Sequence, residues 1–60
     1  MRLNLKELMA VMDNVLSVRL ITEDKYFNGV RELNDMVKEY GERKIRKVTA
    51  IYYGLVISLE

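Results

Sequence analysis

Cysteine and histidine are both absent from this chain of 60 residues. Without cysteine there is no disulfide and no thiolate ligand. Without histidine as well, an ordinary zinc site lacks both of its favoured ligands. Catalysis lacks its commonest general base and its strongest nucleophile. Proline is also missing, which argues against a stiff Pro-rich joint. The three glycines, at 29, 41 and 54, are too widely spaced for a phosphate-binding loop. No apolar run approaches the ~20 residues of a membrane span. Lys6, Glu7 and Asp13 interrupt the apolar positions after Arg2, so no signal peptide is expected. Ten basic and nine acidic side chains leave a net charge of +1, with no global bias toward nucleic acid or an anionic membrane. The expectation is a cytoplasmic chain that is not an enzyme, holds no metal or cofactor, and has no membrane contact.

Half of the residues are apolar, enough for a core and too many for a disordered chain. Sixty residues allow one domain, spanning 1–60, with Leu59-Glu60 a candidate tag remnant. A chain this short buries only about 60% of the surface its unfolded form exposes. Domains of this size often gain stability from a disulfide, a metal or a partner subunit. Composition leaves good packing or self-association. Four Met and four Tyr supply large, adaptable packing surface.

The spacing of Leu5, Leu8, Met9 and Met12 predicts a helix over residues 3–12. Asn4 with Glu7 has the form of a capping box, and Leu3 with Leu8 that of a hydrophobic staple. Asp13-Asn14 is the expected stop. Residues 15–22 alternate as a strand with Leu16, Val18 and Leu20 toward the helices. Glu23-Asp24 reads as a turn, Tyr26-Phe27-Asn28 as a short strand, and Asn28-Gly29 as a second turn. Val30, Leu33, Met36, Val37 and Tyr40 predict a helix over 30–40, with Gly41 as its C-terminal cap. Two β-rich runs around Tyr53-Gly54 form a hairpin. In a regular third strand, Val48, Ala50 and Tyr52 share one face and Ile45, Thr49 and Ile51 the other. A bulge near Thr49–Ala50 would bring Val48 and Ile51 together. In the fourth, Leu55, Ile57 and Leu59 share a face. The order is α-β-β-α-β-β. The expected fold is α+β, two helices on one face of a four-stranded, mainly antiparallel sheet. Leu16, Val18, Leu20, Val48, Ile57 and the helix stripes form the expected core.

Two surfaces are candidate sites. The sheet face away from the helices would carry Val15, Ile21, Ile51 and Val56 beside Arg19, Thr49 and Ser58. Four apolar side chains there are a large load for a free surface. They point to a homodimer or another protein partner. Val11, off the main stripe, with Met9 and Met12, suits adaptable contacts too. The second candidate is the basic cluster Arg43, Lys44, Arg46 and Lys47, with Tyr52 and Tyr53 as base-stacking groups for nucleic acid. Basic residues on a strand also serve to block edge pairing. Glu23 with Asp24, and Asp35 with Glu39, could hold a cation, but solvated turn and surface charges explain both.

The segments Leu5-Lys-Glu-Leu-Met-Ala-Val-Met12, Val15 to Thr22, Tyr26-Phe-Asn-Gly29, Val48-Thr-Ala-Ile51 and Leu55-Val-Ile57 form a pattern. It resembles small uncharacterised proteins encoded by phages and prophages of Gram-positive bacteria. The resemblance implies an opening helix, a hairpin, a helix and a closing hairpin. It also implies an accessory protein that contacts host or phage machinery. It transfers no site residues. The function expected is therefore protein–protein contact by a small accessory module, with weak nucleic-acid binding through residues 43–47 as the alternative.

Overall fold

The computed structural model describes residues 3–12 and 14–60. The elements are α1 (Leu5–Val11), β1 (Ser17–Leu20), β2 (Lys25–Asn28), α2 (Val30–Tyr40), β3 (Ile45–Ile51) and β4 (Gly54–Leu59). The order is the α-β-β-α-β-β of the sequence pattern, an α+β fold with helices packed on a four-stranded sheet.

Helix α1 starts where its cap is written. Asn4 Oδ1 accepts from Glu7 N at 2.8 Å, and Glu7 Oε1 accepts from Asn4 N at 3.0 Å. The remaining first-turn donors find distant carbonyls: Leu5 N donates to Arg43 O at 3.0 Å and Lys6 N to Gly41 O at 2.9 Å. Every N–H that a helix start normally leaves open is thus satisfied. The same contacts lay residues 3–5 against 43–45, with Asn4 bridging Lys44 in antiparallel sense. Asp13 of the expected stop lies outside the described residues. Asn14 takes the left-handed conformation (φ 61°) that a turn there asks of it.

The strands run β2-β1-β4-β3. The two hairpins β1/β2 and β3/β4 are antiparallel and join through a central parallel pair, β1 with β4. The sheet is therefore mixed. Val18 and Leu20 of β1 and Leu55, Ile57 and Leu59 of β4 face the helices and are buried with Leu5, Leu33, Met36, Tyr40 and Ile45. The edge of Phe27 meets Tyr40 at 6.2 Å between ring centroids.

The structure departs from the sequence pattern at three points. Leu16 is 60% exposed, not core. It precedes β1, and its backbone serves the loops: its N donates to Tyr53 O, and its carbonyl accepts from Gly29 N. Val30 has the phase of the α2 stripe, yet it opens the helix and is 78% exposed. The bulge lies at Arg46, between the pairs Ile45↔Leu59 and Lys47↔Ser58. That extra residue brings Ile45 and Val48 to the core side and leaves Ile51 on the other. Gly41 is the C-terminal cap of α2, as expected, in right-handed conformation (φ −59°, ψ −28°) with its N–H donating to Val37 O at 2.9 Å. A side chain there would meet Val37 O at 2.3 Å and Lys6 Cβ at 3.1 Å, so the preceding turn of α2, with α1 close beside it, leaves room only for glycine.

Candidate functional site

The two ends of the sheet differ in chemistry. At one end lie the 21–24 turn, the 41–44 loop and the close of β4, bound together by polar groups. Thr22 Oγ1 accepts from Leu59 N at 2.9 Å and donates to Leu59 O at 3.1 Å. Arg43 pairs with Glu23 and donates to Glu60 O at 3.0 Å. Arg19 reaches Asp24 at 3.4 Å. Lys6 and Glu42 pair at 2.7 Å. The hydrogen bond to Lys6, then its charge, hold the Glu42 carboxyl below its ordinary range; the bond to Glu42 holds the Lys6 ammonium above its own.

The opposite end has no such network among the described residues. There α1 ends in Val11 and Met12, Leu16 leads into β1, Val30 opens α2, and Ile51, Tyr52 and Tyr53 close the β3–β4 hairpin. All seven are exposed, Val11 by 74% and Tyr52 by 98%. They account for seven of the ten large apolar or aromatic side chains exposed among the described residues. An open cleft of about 490 Å³ lies between the 12–16 segment and the 50–55 hairpin. A smaller one of about 210 Å³ lies between α1 and the start of α2. The two share Met12, Asn14 and Val15. No Asp, Glu, Lys or Arg among the described residues lines either cleft. Monomeric domains seldom leave this much apolar surface gathered in one place.

The expected interface residues are not brought together. Val15 packs against the core from the loop before β1, not on the outer sheet face. Ile21 lies one residue beyond β1 and is exposed. Ile51 and Val56 do share the outer face, with Val56 half-buried. By the strand register that face also carries Arg19, Lys47, Thr49 and Ser58, so it is mixed rather than apolar.

The basic cluster is divided as well. Arg43 is spent on Glu23 and Glu60. Lys44, Arg46 and Lys47 are exposed, and neither Arg46 nor Lys47 has an acidic partner among the described residues. Tyr52 and Tyr53 lie past the far end of β3, about 16 Å or more along the strand from Lys47. Cations and rings therefore sit at opposite ends of one edge strand.

Leu16 and Val30 are the exposed residues that periodicity assigns to the core. The available signal was positional: apolar residues at element ends and in the Tyr52-Tyr53 turn, where polar ones are usual. Among the described residues no three acidic side chains gather as a metal would require, and no helix is long and apolar enough to cross a membrane. Searches of protein-family models, of curated proteins and of solved structures find no match to this chain.

Proposed function

We propose that this chain is a small accessory module that works by protein–protein contact, through its apolar end rather than through the outer sheet face. The observation that carries the reading is the clustering of Leu16, Val30, Ile51, Tyr52 and Tyr53 with the end of α1 around two open clefts that no Asp, Glu, Lys or Arg among the described residues lines. The rest of the surface is the usual mosaic of charge, and the opposite end is tied by ion pairs. Open clefts suit the side chains of another protein better than an enclosed small ligand. The resemblance of the sequence pattern to small uncharacterised phage and prophage proteins favours the same reading, and the lack of cysteine suits a reducing, cytoplasmic setting.

Amide NMR maps of the labelled chain test it under two conditions. One is dilution from millimolar to micromolar, which reads self-association. The other is addition of peptides selected by display against the chain, which reads a foreign partner. Shifts gathered at residues 11–16, 30 and 50–55 under either condition support the proposal. Maps flat under both, or shifts confined to the outer face around Arg19 and Val56, refute it.

A further inference from the structure

Strand β3 is an edge of the sheet. Residues 3–5 cover its approach, with Ile45 N donating to Leu3 O at 2.9 Å. Beyond Ile45, no strand among the described residues pairs with its outer side. An open edge presents unpaired backbone donors and acceptors and is a template for another strand. This edge runs from Arg46 and Lys47, which have no acidic partner among the described residues, to Ala50 and Ile51, which line the larger cleft.

We infer that the open edge of β3 accepts an extended segment of another protein, carrying a carboxylate that meets Lys47 and an apolar side chain four residues away that meets Ile51 and the cleft. The spacing follows from the pleat. Lys47, Thr49 and Ile51 share the outer face, because their β4 neighbours are Ser58, Val56 and Gly54. Their counterparts on an added strand sit at i, i+2 and i+4, in either direction. Charge complementarity chooses the occupant. β3 contains no acidic residue, so two copies of β3 paired together would offer Lys47 no carboxylate. Nucleic acid could satisfy the cations but not the backbone edge. Arg43, the fourth cation of the cluster, is already paired.

This inference rests on the contact reading above and adds the mode and chemistry of the partner. The probe is a nine-residue extended peptide with Glu at position 3, Thr at 5 and Phe at 7, titrated into the full labelled chain. The expected result is amide shifts at residues 47–51 and in the 12–16 cleft wall, with slowed hydrogen exchange in β3. Lys47→Glu should weaken binding about tenfold, and a peptide with Lys in place of Glu should recover most of that loss. The double variant R31E/K38E on α2, with the same type of charge reversal far from the edge, should stay within about twofold.

Shifts in residues 12–16 and 50–55 without exchange protection in β3 overturn the strand addition and leave the apolar contact standing. No shift at millimolar peptide overturns the strand addition; if dilution and display maps are flat too, the contact reading falls with it. A single-stranded oligonucleotide that shifts residues 44–47 more strongly than the peptide overturns the proposal in favour of nucleic acid. Shifts in β3 on concentrating the chain alone overturn it in favour of a second copy.

Discussion

Gly54→Ala is the sharpest test of the central parallel pair. Gly54 lies opposite Ser17 where β1 and β4 begin to pair. A Cβ at residue 54 would stand 1.9 Å from Ser17 O and 2.8 Å from both Ser17 C and Ser17 Oγ. An ordinary carbon–oxygen approach is about 3.3 Å, so the contact is about 1.4 Å too short. The nearest atom is backbone and cannot rotate away, so the strands must part. Parting them strains the Ser17↔Gly54 pair and the adjacent bond from Leu16 N to Tyr53 O, 3.2 Å long. Overpacking costs about 1–3 kcal/mol, and ~3 kcal/mol is expected where the neighbour is backbone. A chain of this size has about 3–9 kcal/mol of stability in total. With a urea m-value near ~1 kcal/mol/M, the unfolding midpoint followed by circular dichroism should fall by about 3 M. Adding Ser17→Gly should not restore it, because the clash is with the carbonyl. A midpoint within about 0.5 M of the parent, or rescue by Ser17→Gly, would show that this approach is not what positions β4.

Ser17→Ala alone should act in the opposite direction. The hydroxyl is buried, with the residue 1% exposed, and has no hydrogen-bond partner among the described residues, so its removal should raise the urea midpoint by up to about 1 M; a fall of that size would reveal a hidden partner. Asn4→Ala removes one half of the capping box and should cost about 1 kcal/mol by the same assay, with no loss meaning that the Arg43 and Gly41 carbonyls suffice. Gly29→Ala meets no atom within 4 Å, but φ of 89° is strained for any residue with a side chain, so it should cost about 1–3 kcal/mol; a neutral outcome would mean that the turn relaxes freely. Lys6→Met should return the Glu42 carboxyl upward toward its ordinary pKa, read by carbon NMR. Because the folded pKa of Glu42 is lowered, its contribution is present above the ordinary carboxylate range and lost as pH falls through the lowered value. That of Lys6, raised from 10.5, is present below that value and lost as pH rises past the raised one. The variant should lose both dependences, and an unmoved Glu42 titration would mean that the pair does not persist in solution.

Local rules recovered local features. Asn4 and Glu7 have the residue types and spacing of a capping box, and the box forms. Leu55, Ile57 and Leu59 alternate without interruption, and all three are buried. Helix α2 begins and ends where its stripe and flanking turns place it. What could not be read joins residues far apart in the chain. The parallel pairing of Ser17–Leu20 with Gly54–Ile57 crosses more than half the chain. The pairing of Arg43 with Glu23 turns one candidate phosphate contact into a structural link. A bulge near Thr49–Ala50 is what Val48 and Ile51 would need to share a face; the one that forms is at Arg46, which is polar and gives no packing signal of its own. The need for glycine at 54 comes from a carbonyl 37 positions earlier.

The errors about the apolar end share one cause. Leu16 has the phase of Val18 and Leu20; Val30 has the phase of Leu33 and Val37; Met12 has the phase of Leu5 and Leu8. Periodicity reports which way a side chain points and not whether anything lies above it. At the polar end, residues 3–6, 41–45 and 59–60 close over the sheet through four backbone hydrogen bonds and the Arg43–Glu23 ion pair, so side chains in phase there are buried. At the other end the same phases continue past the last residue that a helix or loop covers. The apolar end is thus the core continued beyond its cover. That makes a physical demand on any occupant: it must bring apolar side chains to the cleft between the 12–16 segment and the 50–55 hairpin. A partner that touched only the mixed outer face would leave Leu16 and Val30 exposed, gaining little of the transfer energy, about 25 cal/mol per Å² of apolar area buried, that they offer.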